Sequence, residues 1–268
     1  MLREGHAVPA IKTEMPAGLI VRIDQKEQGK GRLRADQDRI CAHCAARSAS
    51  FCGMVPNADL AELSGQARPH RLERRKTLLR QGEDSPHVYI VTSGVLQLNQ
   101  MSADGRRLVI GFAIAGDLVG SFLTSCSDYS AEAVDSVYLC QFPRQEFMRF
   151  VSRDSGLTMA LARVVHDELQ RARGHMALIA QNSAERKMAQ FLLAFRGRQN
   201  RPDGARAILP VRIPQIDIAD YLGLTSETVN RMLARFVRES LIAMGDNSIE
   251  ILDLPALQRI ADGASTGA

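Results

Sequence analysis

Short apolar runs separated by turn residues fill the stretch from about Arg71 to Phe147. Short runs rich in Val, Ile, Leu and Tyr, bounded by Gly and Asp, are typical of β-strands. The runs lie at residues 88–91, 95–98 and 108–112, and the turn pairs are Ser93-Gly94, Asp104-Gly105 and Gly116-Asp117. This spacing predicts a small antiparallel barrel or sandwich, in which Asp104-Gly105 closes a hairpin.

From about Leu157 the apolar positions change to a helical period. Six positions recur at intervals of 4, 3, 4, 3 and 4 residues: Val165, Leu169, Ala172, Met176, Ile179 and Ser183. This narrow seam is the a/d pattern of a coiled coil, so it predicts a long helix that pairs with the same helix of a second subunit. A helix packed on its own barrel is the alternative, because three heptads form a short pattern. A second helix is predicted from Ala184 to about Arg196, with Ser183 as its N-cap.

Residues 214–239 read PQIDIADYLGLTSETVNRMLARFVRE and predict two short helices joined by a tight turn. Gly223 permits the turn, and Thr225 can cap the second helix. That helix would bury Val229, Met232, Leu233 and Phe236 and expose Glu227, Asn230 and Arg231. This is the layout of a helix-turn-helix, whose second helix enters the major groove of DNA.

The exposed residues of the second helix suit base recognition. Arg231 can donate two hydrogen bonds to guanine, Glu227 can accept one from cytosine, and Asn230 can pair with an adenine edge or contact a phosphate. Thr225 and Ser226, which open the helix, complete the candidate DNA contacts. An ordinary helical hairpin with a charged, solvated face is the alternative interpretation.

Composition limits the classes of protein. The chain has 268 residues and a net charge of +4, which permits nucleic-acid binding without demonstrating it. No apolar run approaches the roughly 18 residues of a membrane-spanning helix, and the N-terminus lacks a signal-peptide pattern, so we expect a cytoplasmic protein without membrane contact. No phosphate-binding glycine loop or catalytic triad stands out, so we expect a protein that is not an enzyme. His166 and His175 are expected to face solvent from the long helix.

Three of the five cysteines are clustered in sequence. Cys41, Cys44 and Cys52 are spaced C-x2-C-x7-C, and thiolates this close can share one metal centre. A four-thiolate zinc site or iron–sulfur cluster needs a fourth ligand, and Cys140, at the end of a predicted strand, is a candidate.

The spacing alone does not separate zinc from iron–sulfur. His43 and His70 are possible zinc ligands, and Cys126 has the character of an ordinary small residue. An electron carrier or redox enzyme would also use such a cysteine set, and it is the alternative from a different class of protein.

Along the chain stand a cysteine-rich segment, a small β-roll, a helix with an apolar seam and a helix-turn-helix. Together they resemble the superfamily of the cyclic-AMP receptor and the fumarate–nitrate regulator, which are bacterial transcription factors. The resemblance extends from about Cys41 to Ala261, and the segment IADYLGLTSETVNRML is close to the recognition signature of that superfamily.

The fold that the resemblance implies is α+β. It comprises an N-terminal antiparallel β-roll like that of cyclic-nucleotide-binding domains, a long dimerisation helix and a C-terminal winged helix-turn-helix. The corresponding parts are 1–40 as a flexible segment, 41–150 as the cysteine-bearing sensor, 151–182 as the dimerisation helix and 183–268 as the DNA-binding domain.

The cysteine pattern is similar to that of the fumarate–nitrate regulator branch, in which three N-terminal cysteines and one β-roll cysteine bind an oxygen-labile 4Fe–4S cluster. In that branch the β-roll cysteine precedes an aromatic-Pro pair, and here Cys140 is followed by Gln141-Phe142-Pro143. The resemblance therefore implies that the cluster ligands are Cys41, Cys44, Cys52 and Cys140.

The same resemblance implies a mechanism and partners. A homodimer with an intact cluster would bind a two-fold DNA site with TTGAT-like half-sites about one helical turn apart, and would work with RNA polymerase. Oxygen would destroy the cluster and weaken the dimer. Zinc, thiol oxidation or nitric oxide sensing on the same DNA-binding fold is the alternative.

Two features depart from the superfamily pattern. Asn230 stands where most relatives of the branch carry Ser, so we expect the central G·C contact to be kept and the neighbouring base preference to shift. Gly116-Asp117-Leu118 replaces the Gly-Glu-Leu turn of nucleotide-binding members, and residues 108–143 contain no Arg or Lys. A cyclic phosphate would there meet carboxylates and no cation, so we expect no cyclic nucleotide as ligand.

Phe51 directly precedes Cys52. An apolar side chain beside a cluster can limit the access of solvent and oxygen, so Phe51 is a candidate shield of the cofactor. The alternative is that Phe51 only anchors its loop on the barrel.

Overall fold

The computed structural model of the chain describes residues 41, 44–198, 207–209, 213–245 and 248–263. Within these ranges an N-terminal β-roll, one long helix and a C-terminal helical unit with a small sheet follow one another. The predicted flexible segment, residues 1–40, lies outside the described residues, as does His43.

Two antiparallel four-stranded sheets form the β-roll, and they confirm the predicted small antiparallel barrel. One sheet has the strand order β1-β8-β3-β6 and the other β2-β7-β4-β5. The strands are β1 (Arg68–Leu72), β2 (Thr77–Leu79), β3 (His87–Ser93), β4 (Leu96–Met101), β5 (Arg107–Ala113), β6 (Leu118–Val119), β7 (Ser130–Ala133) and β8 (Val137–Pro143).

Strand β3 shows why a continuous apolar run is needed here. Tyr89 and Val91 point into the interior of the roll, whereas Val88 and Ile90 point to the helices outside it. A strand covered on both faces cannot alternate apolar with polar residues, so all four positions are buried.

The predicted hairpin at Asp104-Gly105 joins β4 to β5. The Gly105 amide donates to the Ser102 carbonyl oxygen at 2.9 Å, and Gly105 adopts a φ of 80°. Glycine adopts a positive φ without strain, whereas other residues do not, so the structure confirms the turn that was predicted from this glycine.

Three short helices cover the outer face of the roll: α1 (Phe51–Met54), α2 (Asn57–Gln66) and α3 (Arg144–Ser152). Their apolar sides share one core cluster with the first turns of the long helix, where Leu157 and Ala160 are buried. The loop that carries Cys52, the β-roll and the long helix therefore share a single core.

The long helix is α4 (Ser155–Ile179). It begins where the Asp154 side chain accepts a hydrogen bond from the Leu157 amide at 3.1 Å. Ser183 lies beyond its end and caps the next helix, α5 (Ala184–Gly197), by accepting from the Arg186 amide. The prediction that Ser183 closes the apolar seam is therefore wrong, and the prediction that it is an N-cap is confirmed.

The C-terminal unit is a winged helix-turn-helix. Its remaining elements are β9 (Ala207–Leu209), α6 (Gln215–Leu222), α7 (Ser226–Arg238), β10 (Ile242–Gly245), β11 (Ser248–Ile251) and α8 (Leu254–Asp262). The sheet has the order β10-β11-β9, and the β10–β11 hairpin that follows α7 forms the wing.

Among the described helices, none combines the length and apolar character that crossing a lipid bilayer requires.

Candidate metal recess and nucleic-acid interface

Four of the cysteines line one recess between the N-terminal loop and the β-roll. They are Cys41, Cys44, Cys52 and Cys140. Cys52 is the second residue of α1, and Cys140 lies on β8, paired with Pro69 on one side and Ile90 on the other. The structure thus brings together the four cysteines that the sequence singles out, although Cys140 is distant from the others along the chain.

Successive tight turns wind the cysteine loop towards α1. Backbone amides donate three residues back from Cys44 to Cys41 at 3.4 Å, from Arg47 to Cys44 at 3.0 Å and from Ser50 to Arg47 at 3.1 Å. A Cβ atom at Gly53 would lie 2.6 Å from the Arg47 carbonyl oxygen, so only glycine allows the loop to lie this close to α1.

Other residues of the recess were not singled out from the sequence. Leu60 and Leu63 of helix α2 and Ala67, which follows it, form an apolar wall, and Arg47 contributes a cation. The spacing of three and four residues in the α2 wall is visible in the sequence, but nothing in it says which surface the helix covers.

Phe51 is not among the residues that line the recess. Its side chain is fully buried, and its ring centroid lies 5.3 Å from that of Phe147 on α3. This placement corresponds to the anchoring alternative, in which Phe51 fixes the loop on the barrel.

The thiols of the recess are poorly solvated. Burial, together with the neighbouring cysteines, raises the pKa of Cys52 to about 11 and that of Cys140 to about 12. A metal centre there would therefore displace protons from thiols and would not find ready thiolates. Within the described ranges, no three His, Cys, Asp or Glu side chains are grouped closely enough to hold a metal ion.

The remaining cysteine, and the one alternative zinc ligand that the structure describes, lie elsewhere. Cys126 is exposed on the loop before β7, and neither it nor His70 belongs to the recess lining. The His70 ring instead lies near Tyr89, with centroids 6.1 Å apart.

The turn of the helix-turn-helix has the predicted chemistry. Gly223 ends α6 with a φ of 61°, and the Thr225 hydroxyl caps α7 by accepting from the Thr228 amide at 3.2 Å. A buried lysine that the sequence did not reveal supports this turn, because Lys187 Nζ donates to the Leu222 carbonyl oxygen at 3.0 Å. Cations are favourable at a helix C-terminus.

Helix α7 separates a buried face from a polar, exposed one. Val229, Leu233 and Phe236 are buried and Met232 is partly buried, whereas Glu227, Asn230 and Arg231 are exposed. Thr225 is exposed and Ser226 partly so at the start of the helix. The candidate base-reading residues thus lie on one accessible surface.

The arginines of α7 are not equivalent. Arg235 is held by Glu185 on α5 at 3.0 Å and by Glu239 at 2.7 Å. Arg231 has no ion pair with any described residue. Of these two side chains, Arg231 is therefore the one that can reach a base without breaking an internal contact.

The seam of α4 faces solvent in the single chain. Val165, Leu169, Met176 and Ile179 are 45–62% exposed, and Ala172 is also exposed. The helix contacts its own chain through other residues, with Leu157 against the β-roll cluster and Leu178 against the C-terminal core. The alternative in which the seam packs on its own barrel is therefore wrong.

The prediction that both helix histidines face solvent is confirmed for His166 and wrong for His175. The His175 ring stacks on Tyr221 of α6, with centroids 3.9 Å apart, and its Nε2 donates to the Tyr221 carbonyl oxygen at 2.7 Å. Burial lowers the pKa of His175. The sequence pattern of α4 contains no sign that the helix-turn-helix covers this position.

Asp117 is engaged within the chain. Its carboxylate accepts from the Ile114 amide at 2.6 Å, pairs with Arg198, the C-cap of α5, and lies 3.9 Å from Arg171 of α4. The sequence argument considered only cations within residues 108–143, and the structure brings two from elsewhere. Arg198 is paired with Asp117 itself, whereas Arg171 is held mainly by Glu168 of the same helix.

Two family models match the chain. Residues 186–260 match the Crp-like helix-turn-helix domain, and residues 69–154 match the cyclic nucleotide-binding domain. These ranges coincide with the C-terminal unit and with most of the β-roll together with α3.

Known proteins match over most of the chain. It is 34% identical to the nitrogen fixation regulation protein FixK of Bradyrhizobium diazoefficiens, over 82% of this chain and 93% of that protein. It is also 34% identical to the transcriptional activatory protein AadR of Rhodopseudomonas palustris, over 79% of this chain and 88% of that protein.

A solved structure, FixK2 from Bradyrhizobium japonicum, is similar with a TM-score of 0.65 and 25% identity, over 75% of this chain and 99% of that chain. The named relatives are regulators of transcription and not enzymes. Sequence, fold and relatives agree that the chain belongs to the CRP/FNR family and is a DNA-binding transcription regulator.

Proposed function

We propose that the protein is a dimeric, oxygen-responsive transcription regulator whose DNA binding depends on a 4Fe–4S cluster. The ligands would be Cys41, Cys44, Cys52 and Cys140. The observation that carries this proposal is the recess in which a loop, a helix and a sheet strand each contribute cysteines.

The donor set fits a cluster better than a single ion. Four thiolates around one zinc lie about 2.3 Å from the metal, hence about 3.8 Å from one another in a tetrahedron. A four-iron cluster takes one thiolate on each iron and spreads the four sulfurs further apart. The cysteines that line the recess come from three separate parts of the chain, the loop, α1 and β8, and such a dispersed set suits the larger group.

The remaining lining residues suit the same centre. Arg47 adds a positive charge beside thiols that become negative on ligation, and it offsets a small part of the rise in the pKa of Cys52 that burial causes. Leu60, Leu63 and Ile90 give the recess an apolar wall that limits solvent access. A bound cluster would supply an oxygen-labile link between the N-terminal loop and β8.

The residues of the loop connect this link to the dimer seam. Helix α1, which carries Cys52, contacts α4, and Phe51 shares its core cluster with Leu157 and Ala160. Ligation of Cys52 thereby restrains the end of the helix whose seam is exposed. A centre that favours the dimer adds its free energy to binding of a two-fold DNA site.

The exposed face of α7 with Glu227, Asn230 and Arg231, which we call the DNA-reading surface, would recognise a two-fold site with TTGAT-like half-sites. Arg231 supplies the bidentate contact to guanine, and Asn230 changes the preference for the neighbouring base. Activation of transcription is supported by relatives whose names describe activators, and the exposed hairpin tip at residues 102–105 is one surface that RNA polymerase can reach.

We also propose that no cyclic nucleotide controls this protein. The match to the cyclic nucleotide-binding domain concerns its fold. The interior of the roll is filled by apolar side chains such as Leu96 and Leu139. Near the Gly116 turn, Arg198 is paired with Asp117 and Arg171 with Glu168. A phosphate would have to displace these carboxylates.

The first experiment measures the cofactor. Protein purified without oxygen should absorb broadly in the visible range, bleach in air and contain about four irons and four sulfides per chain. Cys140→Ser should lose this absorbance, and Cys126→Ser should keep it as the matched control. A colourless protein that takes up only zinc, or an unaffected Cys140→Ser variant, would contradict the cluster.

The second experiment measures DNA binding before and after air exposure. The probes are duplexes with two inverted TTGAT half-sites about one helical turn apart, with the base beside the central G·C pair varied. We call the tightest-binding duplex of this panel the operator duplex. Affinity should fall on exposure to air; equal affinity in both states would contradict oxygen control and leave DNA binding intact.

A further inference from the structure

The DNA-binding unit is docked on the outer face of the β4–β5 sheet of the same chain. One core cluster contains β-roll residues, among them Val95, Val109 and Phe112, together with the buried residues of α5, α6 and α7. Phe112 lies at its centre, with ring centroids 5.7 Å from Phe195 and 5.4 Å from Tyr221. Apolar contacts of this kind hold two units together but do not by themselves fix their orientation.

An ion pair lies on one side of this aromatic cluster. Arg107 of β5 donates from Nη2 to Asp217 Oδ1 in the first turn of α6 at 2.6 Å, and from Nη1 to Gln97 Oε1 at 3.1 Å. Asp217 and Gln97 are both buried. This ion pair fixes the relative position of the two units, because moving the arginine away would leave a buried carboxylate without a partner.

A second ion pair of opposite polarity involves Asp117 and Arg198. Here the β-roll provides the acid, in the turn before β6, and α5 provides the base at its C-terminal end. Arg198 also donates from Nη1 to the Phe112 carbonyl oxygen at 2.9 Å. We call these two ion pairs the clasps. Both lie beside the same aromatic cluster, and the β-roll supplies the base in the first clasp and the acid in the second.

This docked arrangement leaves the DNA-reading surface open. Glu227, Asn230 and Arg231 are exposed while both clasps are closed. Docking therefore does not block DNA. Instead it fixes α7 relative to the β-roll and to α4, where the dimer seam lies.

We propose that the two clasps are positioning devices that set the orientation of the recognition helix, and hence the spacing between half-sites that the dimer accepts. Arg107, Asp217, Asp117 and Arg198 are the positioning residues. This inference rests on the proposed dimer and two-fold DNA site. Without the ion pairs the apolar contacts would keep the unit docked, but its orientation would be less narrowly fixed, so the dimer would tolerate a wrong spacing better.

The test compares three duplexes under anaerobic conditions with the full-length protein. They are the operator duplex, the same duplex with one base pair inserted between the half-sites, and a duplex with a single half-site. The variants are Arg107→Gln with Asp217→Asn, and Asp117→Asn with Arg198→Gln. Each removes both charges of one clasp, so no buried charge is left unpaired.

A matched control removes ion pairs that join elements of the sensor unit only. Arg153 pairs with Asp59 of α2 at 2.7 Å and also with Glu62 of the same helix. Arg153→Gln, Asp59→Asn and Glu62→Gln together remove all the charges of this group away from the docking face, so no carboxylate is left without its partner. Circular dichroism and thermal unfolding establish that each variant is folded. The two clasps share no residue. If one clasp variant fails to fold, the other variant still tests the inference.

In the wild type, the inserted base pair should weaken binding strongly. Each clasp variant should bind the single half-site as the wild type does, bind the operator duplex about fivefold or more weakly, and show a smaller penalty for the insertion. The control should match the wild type on all three duplexes.

An insertion penalty equal to that of the wild type in a folded clasp variant would overturn the inference and leave the proposed function standing. An equal loss of affinity on the single half-site and on the operator duplex would overturn it too. Absence of any preference for the operator duplex over the single half-site in the wild type would overturn both.

Discussion

At the scale of single residues, the environment of each cysteine separates candidates that spacing cannot. Cys126 and Cys140 both lie in the β-roll sequence, and only the resemblance to a family selects Cys140 in advance. The structure places Cys140 in the recess and Cys126 in solvent. Leu60 and Leu63 could not be predicted from the sequence as residues of the recess. A helical period shows which residues share a face of the helix, but it does not show what that face covers.

Phe51 gives a test at this scale. Replacement of Phe51 by Ala should lower the free energy of unfolding by about 3–5 kcal/mol, because the ring is completely buried. In the folded variant the rate of bleaching in air should stay that of the wild type, since the ring does not line the recess. Leu60→Ala, which opens the recess wall, should bleach faster. Faster bleaching of Phe51→Ala without loss of stability would restore the shield interpretation.

At the scale of elements, local chemistry in the sequence predicted ends and turns well. The cap at Thr225, the turn at Gly223 and the cap at Ser183 need only neighbouring residues, so they could be read directly. The end of α4 could not, because the apolar period continues to Ser183 although the chain leaves the helix after Ile179.

Helix α7 predicts different roles for two arginines. Arg231→Ala should reduce affinity for the operator duplex by about 1–3 kcal/mol and relax the choice at one base pair, because a bidentate guanine contact is lost. Arg235→Ala should mainly lower stability, since Arg235 pairs with Glu185 and Glu239. Competition binding with mutated duplexes measures the first effect, and thermal unfolding the second. Similar losses of sequence specificity in both variants would contradict this division.

Helix α4 predicts a dimer that depends on its seam. Leu169→Glu should shift the protein from dimer to monomer, because a charge would be buried without a partner between two helices. Gln170→Glu adds the same side chain at an exposed neighbouring position and should leave the dimer intact. Analytical ultracentrifugation of the anaerobic proteins measures both. A monomeric Gln170→Glu or a dimeric Leu169→Glu variant would place the interface elsewhere.

At the scale of the whole molecule, the sequence predicted the order of the parts but not how they fit. Asp117 with Arg198 and Arg107 with Asp217 join residues far apart in the chain. No periodicity or spacing connects such pairs. The misassigned His175 has the same cause, since its partner Tyr221 belongs to another unit.

The continuous core between the β-roll and the C-terminal unit predicts a single cooperative unfolding transition. Residues of both units belong to one buried cluster, so neither can lose its packing alone. Calorimetry of the cluster-free Leu169→Glu variant, in which neither cofactor loss nor dimer dissociation contributes heat, should give one peak whose calorimetric and van't Hoff enthalpies agree. Two resolved peaks would show that the units melt independently.

Because the seam of α4 is exposed in the single chain, the proposed response depends on how much of the protein is present to form dimers. Because the buried clusters are complete within one chain, a single subunit can persist as a folded species and need not form only as half of a pair. While dimers are scarce, doubling the number of chains raises the number of dimers about fourfold by mass action. Under the proposed oxygen response, a cell that holds more of this protein would keep its target genes occupied at a higher oxygen level, so the amount of protein would help to set the threshold.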